Sequence, residues 1–235
     1  MGNFTATHHA LLFAWISRAM INTVGEEKGE GIIRKAVVKY GMQRGKRMAM
    51  RAKANGHKLT MANYIPYGEW KAQKGEMEYK ILEKVPHMKM NVFKCPWHSA
   101  WEENNLMQYG RYFCLEVDEA LVRGFNEDLT LDIHGTQTNG AEFCDFTFKD
   151  ANLTAYNMIG LVFKKMIKPG KKAIMPWEYH AGHLYKTIGE VITDELGEQA
   201  EKIMTASLKD FTDKYGKPAG EIVKSYENTD FDKLP

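Results

Sequence analysis

Leu129-Thr130-Leu131-Asp132-Ile133-His134, then Gly135 to Gly140, then Glu142-Phe143-Cys144-Asp145-Phe146-Thr147-Phe148 is the stretch that decides the fold class. Its first six residues alternate apolar and polar, the period of a strand with one buried face. The glycine-bounded segment is turn material and the second run returns, so the whole reads as a β-hairpin. Period two places Leu129, Leu131 and Ile133 on one face, with Asp132 and His134 opposite. In the returning strand Cys144, Phe146 and Phe148 share a face, opposite Phe143, Asp145 and Thr147.

Working upstream, Tyr79 to Val85 and Met88 to Phe93 read as two more strands, broken at Pro86. Pro96 disfavours a helical conformation for Cys95. Ala100 to Leu121 reads as one helix ended near Gly124, with Tyr109, Cys114, Val117, Asp118 and Leu121 on neighbouring turns of one face. Leu59 to Trp70, after the Asn55-Gly56 turn, has no clean period and reads as loop with a short helical turn. At the start, Leu11, Leu12, Trp15, Ile16, Ala19 and Met20 recur at helical spacing, so His8 to Val24 is a helix capped by Thr5 or Thr7 and broken at Gly25. A second helix runs from Glu26 toward Met50, with Gly41 and Gly45 as sites of close packing.

Downstream, Leu153 to Ile167, Trp177 to Asp194 and Leu196 to Tyr215 read as helices, and the polar tail after Ser225 is expected to fray. His9-Ala10, Gly25-Glu26-Glu27 and Lys39-Tyr40-Gly41 are echoed by His180-Ala181, Gly197-Glu198-Gln199 and Lys214-Tyr215-Gly216, a weak internal repeat of a helical hairpin. The pattern predicts an α+β fold: an antiparallel sheet flanked by helices, with helical hairpins at both termini. Residues 1–150 are expected to form the α+β domain, and 151–235 a C-terminal helical hairpin packed on it as one compact unit.

Charge and composition narrow the function. A net charge of +2, with acids and bases interspersed, gives no electrostatic case for nucleic acid or an acidic membrane surface. No apolar run approaches the roughly 18–20 residues of a membrane span. The start lacks the pattern of a secretory signal, which makes a cytoplasmic location the expectation. Three cysteines cannot form a complete disulfide framework and fit a reducing compartment.

Five groupings can carry chemistry. Cys95-x-x-His98 with Cys114 and Cys144 has the ligand types of a zinc or iron site, although only one pair has motif-like spacing. Cys114, read as one turn before Asp118 and near Glu116, is a candidate nucleophile if His98 or His134 lowers its pKa. For each cysteine the competing reading is a small buried hydrophobe, strongest for Cys144. Glu116, Asp118, Asp132 and His134 can form a general acid–base set around a water. Arg44, Arg47 and Arg51 either compensate a helix C-terminus on a solvated face, or one of them turns inward to hold a substrate carboxylate. His180-x-x-His183 offers half a metal site at most.

Gly25-Glu26-Glu27 after an apolar helix, Tyr40-Gly41 with Arg44-Gly45, Cys95-Pro96, Tyr112-Phe113-Cys114 with Asp118, Gly124-Phe125-Asn126 and Cys144-x-Phe146 together resemble the L-2-amino-thiazoline-4-carboxylic acid hydrolases, over roughly Phe4 to Phe148. The Cys-x-Phe strand is also loosely similar to small-molecule-binding domains related to vinyl reductases. The hydrolase resemblance implies water addition to the carbon between sulfur and nitrogen of a cyclic amidine, followed by cleavage of the ring C–N bond. It implies catalytic candidates among Cys114, Asp118, His134, Cys95 and Glu116. Arg44, Arg47, Arg51, Tyr112 and His98 become candidates for binding a small substrate that carries a carboxylate. No cofactor is expected, with zinc or iron on Cys95, His98, Cys114 and Cys144 as the alternative; a homo-oligomer is left open. A metal- or small-molecule-binding sensor module without turnover, or a non-hydrolytic enzyme on a related ring, are the competing functions.

Overall fold

The computed structural model describes residues 4–154, 159–160 and 173–235. The architecture is α+β, with a four-stranded antiparallel sheet and flanking helices. The chain divides into two compact units, each assembled from three stretches. One comprises residues 1–40, 96–117 and 176–230; the other comprises 41–95, 118–175 and 231–235. The expected helix from Leu153 to Ile167 lies almost wholly outside the described residues.

The first unit is built on α1 (Ala6–Val24). Its Ala10, Leu11, Leu12, Phe13 and Ala14 are all fully buried, which spans every side of a helix and marks it as central. Thr5 caps it, and its backbone N–H donates to His8 Nδ1 at 3.1 Å. Gly25 ends it at φ 85°, a conformation costly for any residue with a Cβ. Around α1 pack α4 (Pro96–Glu103), α5 (Met107–Cys114), α7 (Trp177–Leu196) and α8 (Gln199–Tyr215). The short α9 (Lys217–Lys224) packs on α7 and α8. The two echoing helical pairs therefore come together, with α1 directly against α8.

The long helix expected over Ala100 to Leu121 is three helices: α4, α5 and α6 (Val117–Phe125). Asn105 adopts the left-handed conformation at φ 54°, and the Leu106 N–H turns back to the Trp101 carbonyl at 2.8 Å. Asparagine tolerates that geometry because its short polar side chain can bond locally. A second break follows at Leu115-Glu116, where the Glu116 N–H closes a tight turn on the Phe113 carbonyl at 3.3 Å. Cys114 thus ends one helix while Asp118 lies in the first turn of the next. They do not share a helical face.

The second unit holds the sheet, ordered β1-β2-β4-β3 and antiparallel throughout. Its strands are β1 (Glu78–Glu83), β2 (Met88–Lys94), β3 (Leu131–Gly135) and β4 (Cys144–Phe148). The expected hairpin is β3–β4, with Leu131 opposite Phe148 and Ile133 opposite Phe146. Leu131, Phe146, Phe148, Met88 and Val92 form the core face, covered by Met61 of α3 (Met61–Tyr64) and Val122 of α6. Burying a side chain of this size stabilises by about 1.5–3 kcal/mol.

The C-terminal half of α2 (Glu26–Ala54) crosses α6 at two glycines. A Cβ on Gly45 would lie 2.3 Å from the Leu121 carbonyl, and one on Gly124 would lie 2.4 Å from the Met42 carbonyl. Both obstacles are backbone, which cannot rotate away. In an open helix Gly→Ala adds about 1 kcal/mol of stability; here the sign reverses. Gly124→Ala should lower the unfolding free energy by about 1–3 kcal/mol in urea titration; an unchanged midpoint would show that the crossing is loose.

The tail expected to fray is instead held. Phe231 is buried, its carbonyl accepts from Arg47 Nη1 at 2.6 Å, and Asp232 accepts from Gln43 Nε2 at 3.1 Å.

Candidate active site

Arg44, Arg47 and Arg51 are spaced three and four residues apart, which puts them on one stripe of α2. That stripe faces inward. All three guanidiniums converge on one carboxylate, Glu69, whose side chain is completely buried. Arg47 takes it in a fork, Nε to Oε1 at 3.0 Å and Nη2 to Oε2 at 2.9 Å. Arg51 Nη1 adds a bond of 2.6 Å, and Arg44 Nε a longer one of 3.4 Å. The arginines thus turn inward and do not form a solvated face. Here the carboxylate held belongs to the chain itself.

The neighbour that matters chemically is Asp118. It sits in the first turn of α6, on the side that the Gly45/Gly124 crossing brings against α2. It is half-buried, and among the described residues its carboxylate forms no hydrogen bond or ion pair. Burial pushes its pKa up to about 6, against the opposing pull of the Arg44 guanidinium. The Tyr64 phenol shares this environment and is raised as well, first by burial and then by the Asp118 charge, so it remains a proton donor. Cys144 also feels Asp118. Burial raises its thiol, and its sulfur accepts from the Gln137 N–H at 3.4 Å.

The other expected site residues are placed differently. Cys95 and Cys144 both pack against the hydrophobic cluster of the sheet, as small hydrophobes do. Glu116 is engaged by Arg34, whose Nε lies 2.7 Å away. The Tyr112 hydroxyl donates to Glu26 at 3.2 Å under the Arg111 guanidinium. His98 is half-buried on α4, and Cys114 is half-buried at the end of α5. His134 is exposed, with Nε2 at 3.1 Å from Thr147 Oγ1. It lies on the sheet face opposite the one α6 covers, so His134 and Asp118 are separated by the sheet and cannot form one acid–base set. Asp132, on that same face, is paired with Lys149 at 2.7 Å.

Among the described residues no three His, Cys, Asp or Glu side chains gather closely enough to hold a metal ion. Cys95 and Cys144 belong to one compact unit, His98 and Cys114 to the other.

Sequence reasoning missed Glu69 and Tyr64, which lie in the aperiodic stretch before the sheet and carry no local signal. It also missed a buried chain in the first unit. There Trp97 Nε1 donates to His9 Nδ1 at 3.1 Å, which leaves His9 Nε2 to meet the Tyr40 hydroxyl at 2.9 Å. The indole has no acceptor, so neutral His9 carries its proton on Nε2 and donates it to Tyr40. The Tyr40 ring packs on His183 at 4.5 Å between centroids. His9 and Tyr40 in the repeat and the His180-x-x-His183 pair were its traces in the sequence.

The part-buried Asp118 carboxyl beside the buried arginine cluster, on an α+β scaffold, is the candidate site. The chain belongs to the L-2-amino-thiazoline-4-carboxylic acid hydrolase family, whose model matches residues 5–148, well over half of its length. The arginine stripe, Glu69, Tyr64, Asp118 and Cys144 all lie within the match. No curated protein and no solved structure matches the chain. Among the described residues no helix is long and apolar enough to cross a membrane.

Proposed function

We propose that the protein is a hydrolase that opens a small cyclic amidine of the thiazoline-carboxylate type by adding water. The observation that carries the reading is Asp118: a carboxyl with no hydrogen-bond partner among the described residues, poised near 6 and facing a guanidinium. A group with that pKa serves as base and then as acid near neutral pH.

Ionised Asp118 takes a proton from water as the water oxygen bonds to the carbon between sulfur and nitrogen. The π electron pair of the amidine moves onto nitrogen. The protonated Asp118 returns that proton to the ring nitrogen, then takes the proton of the added hydroxyl and passes it to the same nitrogen as the carbonyl forms and the carbon–nitrogen bond breaks. One water has been added, leaving a carbamoyl group on sulfur and a free amine. Arg44, whose charge acts on Asp118, is the arginine suited to meet the substrate carboxylate. Arg47 and Arg51 hold Glu69 and so keep the cluster in place. Tyr64 donates to charge developing on the amidine.

Incubation of the purified protein with L-2-aminothiazoline-4-carboxylate, followed by mass spectrometry, tests the reaction class. The expected result is a product heavier by one water that carries a new primary amine. Unchanged substrate after prolonged incubation would remove the thiazoline reading.

A further inference from the structure

The sheet has a second face, opposite the hydrophobic core, and its polar groups do not all find partners. Across β2 and β4, Asn91 stands opposite Asp145 and Lys89 opposite Thr147. Directly opposed side chains are about 4.5–5.5 Å apart at Cβ. Two residues beyond Asn91 and two before Asp145, Phe93 and Phe143 form an aromatic pair on this same side, with ring centroids 5.4 Å apart. Phe93 is exposed.

Among the described residues the basic side chains of this face are mostly committed, while Lys80, opposite Asn91 on β1, is exposed. Lys89 binds Glu83 at 2.8 Å, Lys149 binds Asp132 at 2.7 Å, and His134 Nε2 meets Thr147 Oγ1 at 3.1 Å. Two acceptors remain. Asn91 is only 8% exposed, and its Oδ1 is buried with no donor. Beside it, the Asp145 carboxylate has neither hydrogen bond nor ion pair among the described residues. A buried acceptor left without a donor is costly, so a donor arriving there is strongly favoured.

We propose that the Asn91–Asp145 rung, flanked by Phe93 and Phe143, is a binding site for a small planar organic cation of the amidinium or guanidinium class. Such a cation presents N–H groups along its edge, one to the Asp145 carboxylate in a charge-assisted bond and one to Asn91 Oδ1. Its delocalised positive face lies against the phenylalanine rings, whose π faces attract cations. A primary ammonium satisfies the acceptors and gains less from the rings. The site lies on the sheet face away from Asp118, and it does not depend on the hydrolase reading.

Benzamidine is the probe and benzamide, its neutral near-isostere, the control, both titrated calorimetrically into the full-length protein. Benzamidine should bind saturably at one site and at least ten-fold more tightly than benzamide. Asp145→Asn should weaken benzamidine at least ten-fold and Phe93→Leu several-fold. Asp118→Asn should leave its affinity unchanged, which distinguishes this site from the amidine site proposed on the other face. Equal binding of the two probes, no saturation, or loss of binding in Asp118→Asn with retention in Asp145→Asn overturns the proposal. Phe93 is exposed, so Phe93→Leu keeps the test decisive even if Asp145→Asn fails to fold.

Discussion

Asp118→Asn is expected to cut turnover severely while making the protein more stable above neutral pH. Losing a positioned general base costs about 10²–10⁴ in rate. The stability change follows from the direction of the pKa shift. Burial raises the folded carboxyl to about 6 from an ordinary value of 3.8, so between those values the folded chain binds a proton that the unfolded chain has released. Stability is therefore greatest with Asp118 protonated and falls as pH rises through 6, because an ionised carboxylate must then stay part-buried. Asparagine never ionises. At pH 8 the variant should gain about 1–2 kcal/mol, and the gain should shrink as the pH drops below 6. Loss of the favourable interaction between a carboxylate and the N-terminus of α6 offsets a few tenths of a kcal/mol. Urea titrations at pH 5 and pH 8, with turnover measured alongside, check both halves. An inactive variant equally destabilised at both pH values would mean that Asp118 has a structural role.

Glu69→Gln should have the largest effect on stability. Arg44, Arg47 and Arg51 share this one carboxylate, and Arg47 and Glu69 are both inaccessible to water. Removing the negative charge leaves guanidiniums crowded together with little solvent to screen them. Breaking a buried ion pair from one side costs about 3–5 kcal/mol, a large share of a typical domain's stability. Glutamine can still accept one bond from Arg47 but cannot satisfy its fork together with Arg51. Adding Arg47→Met to Glu69→Gln should recover part of the loss, because it removes a buried charge that no longer faces a carboxylate. Urea denaturation of the single and double variants measures this. A loss below about 1 kcal/mol in Glu69→Gln would show that other groups neutralise the cluster.

The elements that were legible in the sequence are those fixed by local periodicity. The alternation in Leu129 to His134 and the glycine turn after it set the β3–β4 hairpin and both of its faces. Gly45 was legible as a close approach, and the spacing of Arg44, Arg47 and Arg51 as one stripe. What was not legible depends on partners distant in sequence. Glu69 is 22 residues from Arg47 and lies in an aperiodic stretch, so nothing local marks it as the carboxylate the arginines hold. The period placed His134 on one face of the sheet, but which face α6 covers is a tertiary choice, and it separated His134 from Asp118. The left-handed turn at Asn104-Asn105 separates α4 from α5, and the second break at Leu115-Glu116 puts Cys114 on a different helix from Asp118. The His9–Tyr40 bond spans 31 residues and is visible only once α1 and α2 are folded together.

The pH dependence of kcat/KM for L-2-aminothiazoline-4-carboxylate tests most directly whether Asp118 is the acid–base group. The account predicts a rate that rises with pH through an apparent pKa near 6 and then levels, with the rising limb lost in the residual activity of Asp118→Asn. A rate that is flat from pH 5 to 8, or a limb near 6 that survives in Asp118→Asn, would contradict it.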